Sequence, residues 1–165
     1  SCSLEDLLIA SVLCNEGELH LKDDAWAWSG DAVDVALLCM AMKADVSRQR
    51  WIDRLPPINE IPFESERQYA ATFHDSANQT RVFVKGSPEQ VIDMCSSTSP
   101  ELVKQWEQIA TSMASRGLRV LAIGQGNLPY VMNASETPAK PTNLQFIGFV
   151  GMIDPLRAGV REAIQ

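Results

Sequence analysis

A lysine stands where an alternating apolar segment gives way to the start of a predicted helix. Residues 81–84 read Arg-Val-Phe-Val, a pattern typical of a half-buried strand, and Lys85 and a glycine follow them. Ser87 is a favourable N-cap, Pro88 suits the first helical position, and Gln90 completes a capping-box pattern with the serine. The lysine at this turn is therefore either a solvated charge on a well-capped connection or a group held at a functional site.

Two carboxylates, Asp31 and Asp34, begin the strongest predicted helix and lie nearly one turn apart. Negative charges in the first helical turn are stabilised by the helix macrodipole, which is the simplest interpretation of the pair. General acid–base catalysis by the two groups is the less favoured alternative. The glycine-rich signatures of Rossmann and P-loop nucleotide sites do not occur in the sequence, so neither of those modes of nucleotide binding is predicted.

Composition and charge narrow the class of protein. The chain has 165 residues, 45% of them hydrophobic, which is enough for one globular domain with a hydrophobic core. Its net charge of -7 argues against broad attraction to nucleic acid or to an anionic membrane. No apolar stretch is long enough to span a bilayer, and the first residues lack the basic start of a signal peptide. We expect no metal site and reduced thiols in a cytosolic compartment, because the candidate ligands are scattered: Cys2, Cys14, Cys39, Cys95, His20 and His74.

The order of predicted elements is helices, strands, helices and strands. Helices are predicted over residues 3–13, 31–43, 46–55, 87–95 and 99–116. Extended segments are predicted at 18–25 and 58–63, strands at 118–124 and 144–153, and two antiparallel strands within 67–85 around a turn at 75–78. The proline-containing stretch 127–142 is predicted to be a surface loop. The helix over 31–43 is expected to bury one face, formed by Val35, Leu38, Cys39 and Met42. This order predicts an α+β fold with an antiparallel or mixed sheet.

Six motifs occur in a fixed order along nearly the whole chain. They are Leu-Cys-Asn at 13–15, Gly-Asp-Ala-Val-Asp-Val-Ala-Leu at 30–37, Ile-Pro-Phe-Glu-Ser-Glu-Arg at 61–67, Lys-Gly-Ser-Pro-Glu at 85–89, Gly-Leu-Arg-Val-Leu-Ala at 117–122, and the segment 148–157. This series resembles the nucleotide-binding domain of type II P-type cation-transporting ATPases, the family that includes calcium and sodium/potassium pumps. The resemblance implies a central antiparallel sheet flanked by helices. It also implies a single domain over 1–165, in which 154–165 begins the return to a phosphorylation domain outside this chain.

The resemblance implies an ATP site on seven residues: Asp34, Phe63, Arg67, Gln68, Lys85, Gly86 and Arg119. In the family the adenine lies against the phenylalanine matching Phe63, and stacking would add about 1 kcal/mol beyond simple burial. Taken alone, Phe63 would be a core residue. The lysine matching Lys85, a compact charge on a long stem, lines the adenine pocket. The arginine matching Arg119 contacts the nucleotide, whereas taken alone it would be an exposed strand charge.

The other implied positions depart from the family or have alternative roles. Asp34 matches a glutamate that accepts a hydrogen bond from the exocyclic amine of adenine, but it is one methylene shorter. Arg67 either pairs with Glu64 or Glu66 on the surface or lines the pocket near the phosphates. Gln68 stands where the family usually has lysine, which removes one positive charge near the triphosphate. We therefore expect weaker ATP binding, with a Kd on the order of 1 mM, equivalent to about 4 kcal/mol.

The resemblance implies an ATP-binding cytoplasmic domain of an integral membrane cation pump. Such a domain holds the adenosine and presents the terminal phosphate to an aspartate in a separate domain, which is catalysis by positioning. The family's nucleophile lies in Asp-Lys-Thr-Gly-Thr, and no aspartate here is followed by lysine. We therefore expect nucleotide binding without turnover. Mg²⁺ would be ligated outside this chain, and the implied partners are the phosphorylation and actuator domains of the parent pump, with no role for nucleic acid.

Two other functions are weighed against that interpretation. The first alternative is an interaction or regulatory domain with the same fold and weakened or lost nucleotide binding, which is motivated by the glutamine at position 68 and by the replacement of the family's Met-Ser motif after it. A stand-alone phosphohydrolase is disfavoured because the nucleophile of the family is missing from the sequence.

Overall fold

The structure, a computed structural model, describes residues 3–95 and 98–153. The helices are α1 (Leu4–Leu13), α2 (Ala32–Lys43), α3 (Arg48–Arg54), α4 (Pro88–Met94) and α5 (Pro100–Ser115). The strands are β1 (Glu18–Lys22), β2 (Ala25–Ser29), β3 (Pro57–Ile61), β4 (Tyr69–Ser76), β5 (Gln79–Gly86), β6 (Leu118–Leu128) and β7 (Gln145–Ile153). Strands β3 to β7 form one antiparallel sheet in sequence order, and β1 and β2 form a separate hairpin. The predicted α+β fold with a central antiparallel sheet is confirmed.

The central sheet separates two hydrophobic cores, because alternate side chains of a strand point to opposite faces. On β5, Val82 and Val84 face a core that includes Val91 and Met94 of α4, with Trp106 of α5 packed against it. Phe83 belongs to the other core, which is formed with α1 and α2 and is covered in part by α3. Lys85 lies two residues beyond Phe83, so the alternation directs it toward α1 and α2.

Capping residues and a glycine at the helix ends explain where several of the helices begin and end. Ser3 and Asp6 form a reciprocal capping box at α1, and the Ser99 side chain accepts a hydrogen bond from the backbone N–H of Leu102 at α5. Helix α5 ends before Gly117, which has a φ of +80°. Glycine adopts this value readily because it has no side chain, whereas most other residues do not. The predicted turn between β4 and β5 is confirmed, with Ala77 and Asn78 both at positive φ.

The predicted core face of α2 was largely wrong. The buried residues of this helix are Asp34, Leu37, Leu38 and Ala41. Met42, expected in the core, is 41% exposed, and Val35 and Cys39 are only half-buried. Helix α2 carries apolar residues on most of its sides, so the apolar periodicity of its sequence is compatible with more than one buried face. The face that is buried carries a charged side chain, which a purely apolar criterion rejects.

Two further segments differ from their predictions. Residues 25–29 form β2, a second hairpin strand that was not predicted beyond residue 25. The stretch 127–142 is not wholly a surface loop, because β6 extends to residue 128 and Met132 is only 4% exposed. The Thr80 hydroxyl donates to Tyr130 O and accepts from Met132 N, at 2.9 and 2.8 Å. These bonds draw this part of the loop onto the sheet.

The remaining predictions about chain organisation concern the cysteines and the last residues. Within the described ranges, Cys14, Cys39 and Cys95 are free thiols, whereas Cys2 lies outside them. Residues 154–165 also lie outside them, so the return segment stays a prediction. Of the helices that the structure describes, none has the length and apolar character needed to cross a bilayer.

His74 is a buried neutral histidine that ties β4 to the end of α3. Its Nδ1 lies 2.8 Å from Leu55 O, which can only accept, so Nδ1 carries the proton and Nε2 accepts from the Thr72 hydroxyl at 2.9 Å. Burial lowers the pKa of His74, and the bond to the Leu55 carbonyl only partly opposes this effect. The imidazolium form is therefore disfavoured in the folded domain.

We expect the free energy of unfolding to fall as the pH drops below about 6.5, the ordinary histidine pKa. Below that pH the unfolded chain takes up a proton at His74 that the folded chain refuses, and the loss continues down to the lowered folded pKa. Urea denaturation at several pH values between 5 and 8 measures how steeply the free energy of unfolding changes with pH. His74→Gln should reduce this pH dependence, whereas His20→Gln, a change at an exposed residue of β1, should leave it unchanged. Equal pH dependences in the two variants would contradict the assignment of the effect to His74.

Candidate functional site

A cavity of about 410 Å³ opens between the first turn of α2, the loop after β3, and the adjoining ends of β5 and β6. Its volume lies within the range of small-molecule sites, roughly 300–1,000 Å³. Eleven residues line it: Glu16, Asp31, Val33, Asp34, Phe63, Gln68, Lys85, Ser87, Arg119, Val120 and Leu121. The cavity therefore combines apolar walls with a few charged and polar groups, which is the usual composition of a ligand pocket.

Five of the seven residues named from the sequence line this cavity: Asp34, Phe63, Gln68, Lys85 and Arg119. Arg67 does not, because its guanidinium binds Glu64 at 2.8 Å, which is the surface pairing considered as its alternative. Gly86 is buried next to the cavity but is not part of its lining. The structure thus brings together residues from four separate segments of the chain, and it leaves Arg67 outside the lining.

A buried ion pair joins two of these residues. The Lys85 ammonium donates to Asp34 Oδ1, and the two residues are only 4% and 5% exposed. The second carboxylate oxygen, Oδ2, accepts the backbone N–H of Glu16 at 3.0 Å. Asp34 therefore has both oxygens engaged within the protein, and Lys85 is neither solvated nor free to extend toward a distant phosphate. Sequence reasoning placed both residues at one site but did not predict that they bind each other.

The residues after α1 hold Asp34 in place. Asn15 donates to the backbone carbonyl of Asp34 at 2.8 Å and to that of Ser11 at 3.1 Å, so it links the end of α1 to the start of α2. Arg48, at the start of α3, donates to the carbonyls of Asn15 and Gly17 at 2.7 and 2.6 Å. Asn15, the last residue of the Leu-Cys-Asn motif, therefore fixes the first turn of α2 against the end of α1.

Phe63 is a cavity residue and not a core residue. It lies two residues beyond the end of β3 and is 49% exposed, which excludes the core alternative that the sequence left open. An exposed aromatic ring beside a cavity provides a flat face on which a planar ligand can stack. The turn that follows Phe63 closes through Gln68 N–H, which donates to Glu64 O at 2.8 Å. Gln68 has a φ of +57°, an uncommon value for a residue other than glycine.

Close backbone contact fixes the turn that follows Lys85. A Cβ atom at Gly86 would lie 2.5 Å from Gln68 O and 2.7 Å from Tyr69 Cβ, so only glycine fits there. The Ser87 N–H donates to the same Gln68 carbonyl at 3.0 Å. The predicted capping box at Ser87 is wrong, because its side chain makes no capping bond and its Oγ is buried without a described partner. Ser87 instead lines the cavity, a role that its capping signal obscured.

The charges around the cavity are unevenly distributed. With Asp34 and Lys85 paired, the other charged lining groups are Glu16, Asp31 and Arg119, all on exposed residues. Arg119 is the sole remaining cation among the lining residues that the structure describes. Asp31 is also the N-cap of α2 and accepts from Val33 N at 2.8 Å. An anionic group at the opening would therefore meet one guanidinium in a partly acidic environment.

Cys14 lies behind the site and remains a neutral thiol. Burial raises the pKa of Cys14 to about 11, although the Lys85 ammonium partly opposes this effect. Its Sγ donates to Ala70 O at 3.5 Å. A thiol with this pKa is protonated at neutral pH, so Cys14 does not supply a thiolate nucleophile.

Known proteins match this chain over nearly its whole length. Residues 3–159 match the family described as P-type ATPase, cytoplasmic domain N. The chain is 37% identical to the cation-transporting ATPase pma1 of Synechocystis sp., over 98% of its own length and 18% of the relative. It is 34% identical to the probable cation-transporting ATPase F of Mycobacterium tuberculosis (95% and 18%) and 31% identical to calcium-transporting ATPase 1 of Lactococcus lactis (96% and 19%). The chain thus spans about a fifth of the length of these relatives. It belongs to the family of cytoplasmic N domains of P-type cation-transporting ATPases.

Proposed function

We propose that this chain binds ATP by its adenosine end and presents the terminal phosphate to an aspartate in a separate domain. The observation that carries the proposal is one cavity in which the exposed Phe63 ring, the buried Lys85–Asp34 pair and the exposed Arg119 all line the wall. Such a combination suits a ligand with a planar apolar part and an anionic part. Membership of the N-domain family makes ATP the first ligand to test.

The lining residues differ in burial, and this difference favours one orientation of the nucleotide in the cavity. The base would stack on Phe63 and extend toward the buried pair formed by Asp34 and Lys85. The ribose and phosphates would lie toward the exposed Arg119, whose guanidinium can donate two parallel hydrogen bonds to phosphate oxygens. In this orientation the terminal phosphate leaves the domain, which is what transfer to another domain requires.

The parent protein would be an ATP-driven cation pump, as the names of the relatives indicate. In that protein the phosphorylation and actuator domains would be the partners of this one, and Mg²⁺ would be ligated outside this chain. Aspartyl phosphorylation would then require residues that this sequence does not contain. The isolated chain is expected to bind nucleotide without hydrolysing it.

Titration of ATP into the isotopically labelled domain, followed by backbone NMR shifts, tests the proposal. We expect saturable changes around Phe63, Lys85 and Arg119, with a Kd on the order of 1 mM. Absence of any response at several millimolar ATP would reject nucleotide binding and support the interaction-domain alternative. That alternative has one structural observation in its favour, since Arg67 is paired with Glu64 and does not line the cavity. Sustained phosphate release, abolished by changing a carboxylate of this chain, would revive the phosphohydrolase alternative.

Replacing Phe63 by alanine is expected to weaken ATP binding about tenfold. Loss of base stacking on an aromatic ring costs roughly 1–3 kcal/mol per base, and Phe63 is exposed enough that its removal leaves no core cavity. The same NMR titration gives the Kd. Trp28→Ala removes a comparably exposed aromatic ring that does not line the cavity, and it should leave the Kd unchanged. Equal affinities of the Phe63 variant and the unmodified domain would contradict a stacking role.

A further inference from the structure

Ser87 carries a hydroxyl that the folded domain leaves without a partner. Its Oγ is shielded from solvent, and no hydrogen bond reaches it from the described residues. Buried polar groups are nearly always hydrogen-bonded in folded proteins, and an unsatisfied one destabilises the fold. Among the residues that line the cavity, Ser87 is the one with such a side-chain group in the described part of the chain. An unsatisfied group at a cavity wall is explained if a ligand supplies the partner.

The backbone holds this hydroxyl at a fixed place on the wall. Ser87 N–H donates to Gln68 O at 3.0 Å, and Ser87 O accepts from Val91 N at 3.1 Å. With both backbone groups bonded, rotation about the Cα–Cβ bond is the remaining freedom of the side chain. A serine has three staggered positions about that bond, so a single rotation can turn the hydroxyl toward a ligand in the cavity.

Ser87 lines the cavity in the turn that follows the buried Lys85. It lies two residues from Lys85, whose ammonium is bound by Asp34 Oδ1, while Asp34 Oδ2 is bound by the Glu16 N–H. The carboxylate that was expected to receive the exocyclic amine of adenine is thus already engaged on both oxygens. The exposed Arg119, which suits phosphate, is a residue of the strand β6 and not of this turn.

We propose that Ser87 recognises the base, through a hydrogen bond between its hydroxyl and the polar edge of the adenine. The inference rests on the proposed function, because it presumes that the cavity receives adenosine. A hydroxyl both donates and accepts, so it can bind a ring nitrogen or the exocyclic amine.

Ser87→Ala provides the test because its two expected effects have opposite signs. Loss of one neutral hydrogen bond should weaken the binding of adenosine and of ATP by a similar factor, about three- to tenfold. Stability in urea should stay the same or rise, because the variant removes an unsatisfied buried hydroxyl. Ser65→Ala, which removes an exposed hydroxyl near Phe63 outside the lining, should change neither property.

Inorganic tripolyphosphate separates a contact with the base from one with the phosphates. Its binding should be the same in the unmodified domain and in the Ser87 variant. A loss confined to ATP and tripolyphosphate would overturn the inference, as would unchanged affinity for adenosine or a clear fall in stability of the variant. If the unmodified domain binds adenosine and ATP and only the effect of Ser87→Ala is missing, this inference fails alone. If the unmodified domain binds neither ligand, the proposed function fails with it.

Discussion

Replacing Asp34 by alanine is expected to lower the free energy of unfolding by about 3–5 kcal/mol, the range measured when one partner of a buried ion pair is removed. The variant leaves the Lys85 ammonium buried without its counter-ion, because Lys85 is 4% exposed and its donor group points at Asp34. It also removes the acceptor of the Glu16 N–H. Urea denaturation followed by tryptophan fluorescence measures the change.

Two comparison variants separate the ion pair from other effects at this helix start. Asp31→Ala removes an exposed N-cap at the same helix and should cost about 0.5–2 kcal/mol. The double variant Asp34→Leu with Lys85→Met removes both charges and should recover much of the stability lost in Asp34→Ala, because buried ion pairs are often replaceable by apolar residues. A loss below about 1 kcal/mol in Asp34→Ala would show that Lys85 finds solvent or another partner easily, contrary to its burial.

The same pair indicates why the site was only partly predictable. Its members are 51 residues apart in the sequence. Nothing in the local pattern of either segment records which charges will meet, because that depends on how β5 and α2 pack. The resemblance to a family selected both residues as site residues, but it implied two separate contacts with the nucleotide. Their mutual binding follows from burial, since two opposite charges that leave water together are far less costly when they pair.

Elements that depend on local chemistry were predicted well. The start of α1 at Ser3, the hairpin turn between β4 and β5 and the end of α5 are set by residues close in sequence, and each occurs close to its predicted position. The buried face of α2 and the burial of Met132 depend on distant partners, and both were mispredicted. Phe63 belongs to the second class, because only the packed sheet decides whether an aromatic residue after a strand is covered.

Ser87 differs from these cases because a local signal was present and did not operate. Serine followed by proline and, at the third position, glutamine is a favourable helix start, and α4 does begin there. The backbone is extended at Ser87, with φ -61° and ψ 148°, yet the hydroxyl does not cap the helix. Because Ser87 makes no capping bond, its hydroxyl is left available for the role proposed for it at the cavity.

Replacing Gly86 by alanine is expected to destabilise the domain by about 3 kcal/mol or more, at or above the upper end of the usual cost of overpacking. The added Cβ would meet Gln68 O at 2.5 Å, Tyr69 Cβ at 2.7 Å and Tyr69 Cα at 2.8 Å. These atoms belong to the backbone or are directly attached to it, so no side-chain rotation relieves the contact. Strands β4 and β5 would have to separate at the residue next to Lys85.

Gly148→Ala is the matched control for that variant. It adds the same methyl group to a strand of the same sheet, but the new Cβ would meet only Leu7 Cδ1 at 3.1 Å, the flexible end of a leucine side chain. We expect its free energy of unfolding to change by less than about 1 kcal/mol. Because Ser87 and Gln68 are joined by a backbone hydrogen bond across the same contact, Gly86→Ala should also displace two lining residues of the cavity and weaken ATP binding. Similar stabilities of the two alanine variants would mean that the backbone at residues 68 and 69 shifts easily, and the close contact at Gly86 would then not be what holds Lys85 and Ser87 in place.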